Sequence, residues 1–145
     1  DGIEVALINN TFRRCRSFAE TYRNPTIRAI GARLVDEIEP DIAHLQHLTC
    51  LSTELVAELA LRRIPTLFTL NDYWLLCQRG QLLDLDLQRC DGPHPTGCAR
   101  CLHTSREEAA ARTAGVARLF ETAKHFQAPS ATLRERFVAI GLPPD

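Results

Sequence analysis

The sequence contains no methionine and only one lysine, Lys124, and it has no long apolar run. Because translation starts with methionine, we expect a processed chain or a piece of a longer protein. No window approaches the ~18 uninterrupted apolar residues that a membrane-spanning helix needs. The first residues also lack the basic and apolar regions of a secretory signal peptide. These features together favour a cytoplasmic protein.

Positive charge is not in excess, because 17 Lys and Arg residues stand against 18 Asp and Glu residues. At a formal net charge of −1 the chain has no general attraction for a polyanion, so we predict no nucleic-acid partner. Hydrophobic residues make up 45% and charged residues 24% of the sequence, as in ordinary globular proteins. The length of 145 residues fits a single domain spanning residues 1–145.

The hydrophobic pattern predicts strands alternating with helices. Strands are predicted at residues 3–8, 42–47, 65–70 and 125–129. Helices are predicted at residues 25–38, about 52–63, about 105–124, and from Ser130 or Thr132 to Gly141. This alternation indicates an α/β fold, with a parallel sheet and helices on both of its faces. Ligands of such sheets bind beyond the carboxyl ends of the strands.

Residues 71–104 interrupt the alternation and lack a clear period, which is typical of a functional loop. The first part, residues 71–81, follows a predicted strand and supplies an amide, a carboxylate, two aromatic rings and Arg79. Such rings stack on sugar faces, and arginine pairs with carboxylate or phosphate groups. The alternative is structural: Asp72 bonds to nearby backbone N–H groups, and Trp74 packs against the rest of the segment.

Four of the six cysteines lie in this segment, in the pattern Cys77-x12-Cys90-x7-Cys98-x2-Cys101. Four thiolates at ~2.3 Å would complete a tetrahedral structural Zn²⁺ site without an open position for catalysis. His94 or His103 could replace one sulfur. Because the segment has few apolar residues, a metal could hold it where a core cannot. The alternatives are free thiols, partly oxidised thiols or a disulfide.

Two histidines, His44 and His47, lie three residues apart on a predicted strand, so their side chains point to opposite faces. We interpret His44 as a core histidine and expect His47 to reach the cleft. The chain has no nucleophile-elbow serine and no glycine-rich phosphate loop. It therefore carries no nucleotide-binding signature of its own.

Residues 40–48, 64–77 and 127–130 resemble the N-terminal half of family 4 glycosyltransferases, which are retaining enzymes of the two-domain GT-B fold. A subset of that family has a similar cysteine-containing insertion, matched here by residues 90–93 and by Cys98-x-x-Cys101. The likeness extends from about Ile3 to Gly141. Two features differ: Asn71 stands where the family usually has histidine, and the glycine-rich acceptor loop and the donor-binding C-terminal domain are missing.

The resemblance implies an incomplete, Rossmann-like half of a GT-B enzyme with a Cys-rich insertion at about residues 72–104. The whole enzyme would transfer a hexose from a nucleotide-sugar donor to a glycan or lipid-linked acceptor in bacterial polysaccharide biosynthesis, and could associate peripherally with a membrane. The half in hand would be inactive alone. The implied catalytic residues are Asp72 and Asn71. The implied acceptor-binding residues are His47, Tyr73, Arg79 and Ser130.

Any zinc bound by Cys77, Cys90, Cys98 and Cys101 would then be structural. The main alternative function is a non-enzymatic, zinc-stapled α/β binding module. A receiver-like signalling domain is a third hypothesis, but the chain lacks an acidic cluster after its first predicted strand.

Overall fold

A computed structural model describes residues 2–143. The strands are β1 (Ala43–Leu45), β2 (Thr66–Thr69) and β3 (His125–Gln127). The α-helices are α1 (Pro25–Ile38), α2 (Leu55–Leu61), α3 (Pro95–Leu102), α4 (Arg106–Thr122) and α5 (Ala131–Val138). Two short 3₁₀ turns, Phe12–Arg14 and Ala19–Thr21, precede them. Each helix within residues 2–143 is too short or too polar to span a membrane.

Three helices begin at the residues that the sequence predicts. The Asn24 side chain accepts a hydrogen bond from the N–H of Ile27 at the start of α1. A reciprocal capping box between Ser105 and Glu108 opens α4, and Ser130 caps α5. Such caps satisfy backbone N–H groups that have no partner inside the helix. These starts are confirmed because their signals are local.

The three strands form one parallel sheet in the order β1-β2-β3, which confirms the predicted parallel arrangement. The register aligns Leu45 with Phe68 and Phe68 with Phe126, so these side chains share one face. On that face the Phe120 ring lies 5.4 Å from the ring of Phe126 and 6.0 Å from that of Phe137. The core of the described chain therefore includes this face together with side chains of helices α2, α4 and α5.

Helix α4 packs on this face through the ring of Phe120, whereas helices on both faces of the sheet stay a prediction. On the other face His44, His125 and Gln127 are exposed. The three parallel strands lie in the sheet in chain order. Because crossovers between parallel strands are right-handed, the two connections that join these strands run on the same side of the sheet. The interpretation of His44 as a core histidine is wrong, because its side chain lies on this face and is exposed.

The predicted strand at residues 3–8 is absent. Its alternating side chains Ile3, Val5 and Leu7 are exposed by 83%, 84% and 91%. No backbone hydrogen bond within residues 2–143 joins this segment to β1. Alternating apolar residues form a strand when their apolar face packs against other side chains. The backbone N–H and C=O groups of the strand must also pair with a neighbouring strand. The described chain supplies neither to this segment.

Helix α3 was not predicted. It starts at His94, whose Nδ1 accepts a hydrogen bond from the N–H of Gly97 at 3.0 Å, and Pro95 occupies its first turn. Helix α3 packs on α4. Helix α2 is shorter than expected, because Ser52 lies before it and its buried hydroxyl accepts hydrogen bonds from the N–H groups of Asn24 and Glu54.

Candidate functional site

The carboxyl ends of β1 and β2 bring a histidine and a carboxylate together. The Nε2 of His47 lies 3.1 Å from Oδ2 and 3.3 Å from Oδ1 of Asp72. Because the two strands are parallel and neighbouring, the residues that follow them emerge at the same edge of the sheet. The predicted placement of both residues at this edge is therefore confirmed.

Both ring nitrogens of His47 are engaged. Nδ1 accepts a hydrogen bond of 2.9 Å from the N–H of Thr49. A nitrogen that accepts carries no proton, so the network assigns the proton to Nε2, from which it is donated to Asp72. In this arrangement His47 orients the carboxylate and has no free lone pair to act as a base.

The carboxylate of Asp72 is held from two sides and open on a third. Oδ1 also accepts a 2.8 Å hydrogen bond from the N–H of Trp74, which forms an Asx turn. The side chain nevertheless remains 45% exposed. An ionised carboxylate has about four acceptor positions, so lone pairs remain for an incoming hydroxyl group. Asp72 is thus both a turn-forming residue and a fixed, accessible acceptor.

Asn71 links the ends of the two strands instead of facing a ligand. Its Nδ2 donates to the backbone oxygen of Gln46 at 2.7 Å and to the side-chain oxygen of Gln46 at 3.1 Å. Gln46 also contacts the ring of His44, which in turn bonds to the hydroxyl of Thr69 at 2.7 Å. This chain of polar contacts fixes the strand ends beside the His47–Asp72 pair.

The two aromatic residues after Asp72 differ in their access to solvent. Trp74 is only 5% exposed, and its ring lies 5.4 Å from that of His47. Its faces are therefore covered by protein, as in the structural alternative. Tyr73 is half-buried, and its N–H donates to the carbonyl of Gly80 at 3.3 Å. Gly80 has a φ of +80°, which suits a glycine at this turn.

Two predicted acceptor-binding residues contact other groups. Ser130 follows β3 at the same edge of the sheet, but its hydroxyl accepts the N–H of Leu133 and so caps α5. Arg79 donates to the carbonyl of Asp84 at 3.1 Å. Among residues 2–143, no hydrogen bond or ion pair joins either side chain to Asp72. The structure thus groups His47, Asn71 and Asp72, with Tyr73 adjacent.

The four clustered cysteines line one cavity of about 550 Å³. Burial raises the pKa of the Cys98 thiol, and the neighbouring charges of Cys90, Cys77 and Cys101 raise it further. Within residues 2–143, no group of three or more His, Cys, Asp or Glu side chains is arranged so that it could hold a metal ion. The predicted convergence of the thiols therefore amounts here to a shared cavity.

Arg112, which the sequence analysis did not single out, lies beside both groups. It is 4% exposed and donates to the backbone oxygens of Trp74 and Leu75 and to the side-chain oxygen of Gln78. Burial lowers its pKa to about 10. Its position in the sequence could have indicated this burial. Arg112 lies four residues before Val116, so both side chains share the buried face of α4.

Comparison of the chain with protein-family models, with curated proteins and with solved structures gives no match.

Proposed function

We propose that this chain is the acceptor-side half of a bacterial, cytoplasmic, retaining glycosyltransferase that uses a nucleotide-sugar donor. The observation that carries the proposal is the His47–Asp72 pair at the carboxyl edge of a parallel sheet. Its carboxylate is oriented by two donors and still accessible. The resemblance of residues 64–77 to family 4 glycosyltransferases supplies the reaction class.

The proposed chemical role of Asp72 follows from its hydrogen bonds. A carboxylate fixed by His47 and by the N–H of Trp74 can accept the hydroxyl of a glycan or lipid-linked acceptor and orient its oxygen toward the donor sugar. Asn71 holds the strand ends and thereby the position of Asp72. Stabilisation of the departing nucleoside diphosphate is assigned to the donor-binding domain of the whole enzyme. The half-enzyme alone is then inactive.

The test uses the full-length protein and a panel of nucleotide sugars with different bases and hexoses. We expect release of a nucleotide from one of them in the presence of a glycan or lipid-linked acceptor, with the donor's anomeric configuration kept in the product. Asp72→Asn should reduce this turnover at least about 100-fold, in the range of a lost positioning or acid–base group. Asp41→Asn, an exposed carboxylate outside the site, is the matched control.

A second candidate is a non-enzymatic, zinc-stapled binding module. The grouping of four cysteines around one cavity favours it, because a closed four-thiolate site supports a surface and not a reaction. A full-length protein that binds zinc but transfers no sugar from any donor would support this module and contradict the transferase.

A further inference from the structure

The cysteine cavity is built from three separate pieces of the segment that follows β2. Cys98 and Cys101 lie three residues apart on α3 and therefore share one face of that helix. Cys77 lies in a turn closed by a 2.7 Å hydrogen bond from its N–H to the carbonyl of Tyr73. Cys90 is placed by a 2.8 Å bond from its N–H to the carbonyl of Leu82. Each piece has its own local restraint, yet all four side chains reach the same cavity.

His94 also lines the cavity, but it already has a structural task. Its Nδ1 accepts the N–H of Gly97, and its backbone oxygen accepts the N–H of Cys98 at 2.7 Å. The N–H of His94 in turn points to the sulfur of Cys98 at 3.3 Å. His94 therefore contacts Cys98 and caps the start of α3. Because Nδ1 accepts a hydrogen bond, Nε2 carries the ring proton, and the four sulfurs are left as the ligand set.

The charge of Arg112 provides a second, independent observation. Its guanidinium is buried and bonds to neutral oxygens, and it lies 5.3 Å from the ring centre of Trp74 and 5.8 Å from that of Tyr22. Within residues 2–143 no ion pair includes Arg112. A buried charge is costly unless an opposite charge is near. A Zn²⁺ ion with four thiolates carries a net charge of −2 and would supply that opposite charge.

We propose that Cys77, Cys90, Cys98 and Cys101 bind one structural Zn²⁺ ion in this cavity, with Arg112 balancing the negative charge of the centre. Four sulfur ligands arranged tetrahedrally select zinc or iron among common metals. Binding deprotonates the thiols, releases their protons to solvent and draws the sulfurs to about 2.3 Å from the metal. The site would hold together a segment that has few apolar residues of its own.

The experiment measures metal in the whole chain after expression in zinc-supplemented medium and purification without chelator under reducing conditions. We expect about one zinc per chain, as for a closed four-thiolate site. Cys98→Ser and Cys101→Ser should each lower the zinc content several-fold. Cys15→Ser, at a cysteine outside the cavity, should leave it unchanged. His94→Asn keeps an N-cap side chain without an imidazole and should also leave it unchanged.

A second measurement covers the case in which a cysteine variant does not fold. Cobalt added to the metal-free wild-type chain should give thiolate-to-metal bands and the visible absorption of a tetrahedral site, and zinc should displace it. Less than about one-tenth of an equivalent of zinc with all thiols reduced would overturn the proposal. So would two disulfides, bound iron, or loss of zinc in His94→Asn alone. None of these readouts depends on sugar transfer, so the site and the proposed function can fail separately.

Discussion

Nε2 of His47 lies 3.1 Å from Oδ2 of Asp72, while Nδ1 of the same ring accepts the N–H of Thr49. The neutral ring is therefore expected to carry its proton on Nε2. We predict that ¹⁵N NMR of the neutral imidazole shows an unprotonated Nδ1 and a protonated Nε2. A ring that is mainly protonated on Nδ1 would contradict the network.

The same spectrum tests what Asp72 contributes. In Asp72→Ala the Nε2 proton loses its acceptor and should exchange with water faster, so its signal should broaden or disappear. Asp41→Ala removes an exposed carboxylate outside the pair and should leave the signal unchanged. If the Nε2 proton signal persists in Asp72→Ala, the hydrogen bond to Asp72 does not protect that proton from exchange with water.

A buried carboxylate joins helices α1 and α2. Glu58 is 7% exposed and accepts from Nε of Arg28 at 2.6 Å and from Nη1 of Arg62 at 2.7 Å. Glu58→Gln should lower the free energy of unfolding by about 1.5–3 kcal/mol, the range for hydrogen bonds to charged groups. Urea denaturation measures this change.

The matched control lies on the surface of α1. Glu37 pairs with Arg33 at 3.4 Å, and both side chains are exposed. Glu37→Gln should change the free energy of unfolding by less than about 1 kcal/mol, because exposed pairs contribute little. Equal losses in the two variants would show that burial does not strengthen the Glu58 contacts.

Acid should remove the contribution of Glu58. Hydrogen bonds from Arg62 and Arg28 lower the pKa of its carboxyl group in the folded chain. A lowered pKa means that the contribution is complete above the unfolded value of about 4.3 and is lost as the pH falls through the folded value. The stability difference between wild type and Glu58→Gln should therefore be constant from about pH 8 to 5.5 and shrink on further acidification. A difference that grows on acidification would contradict this assignment.

Local signals predict much of the helical structure but little of what surrounds it. Asn24 followed by Pro25, and Ser105 three residues before Glu108, state where helices begin without reference to the rest of the fold. The start of α3 was missed because a histidine, His94, provides its cap. Histidine is not among the residues that ordinarily signal a helix start.

Tertiary contacts decide the remainder. The pairing of His47 with Asp72 could be anticipated, because neighbouring parallel strands bring their carboxyl ends to one edge. The tautomer of His47 could not, since it depends on the backbone of Thr49. Residues 3–8 alternate between apolar and polar side chains, but this pattern does not show whether a neighbouring strand is available to pair with the segment. Likewise, the sequence does not distinguish Arg112 from an exposed helical arginine, because its burial depends on how α4 packs on the rest of the chain.

Arg112 connects α4 to the residues that follow Asp72. Its side chain donates to the carbonyls of Trp74 and Leu75, and burial leaves those oxygens without water as a substitute. Arg112→Gln removes the charge and shortens the side chain, so we expect a loss of about 1.5–3 kcal/mol in the free energy of unfolding. Arg112→Lys should recover only part of it, because an ammonium group lacks the planar fork that reaches both carbonyls.

Arg118 supplies the control, because it lies on the same helix and is exposed. Arg118→Gln should leave stability within about 0.5 kcal/mol of wild type. Hydrogen exchange locates the effect: in Arg112→Gln the amides of Leu76, Cys77 and Gly80, which close the turn after Asp72, should exchange faster than those of β2. Uniform acceleration along the whole chain would mean that Arg112 supports global folding instead. Unchanged exchange in the turn would mean that Arg112 does not hold it, and the segment carrying Asp72 would then need another anchor.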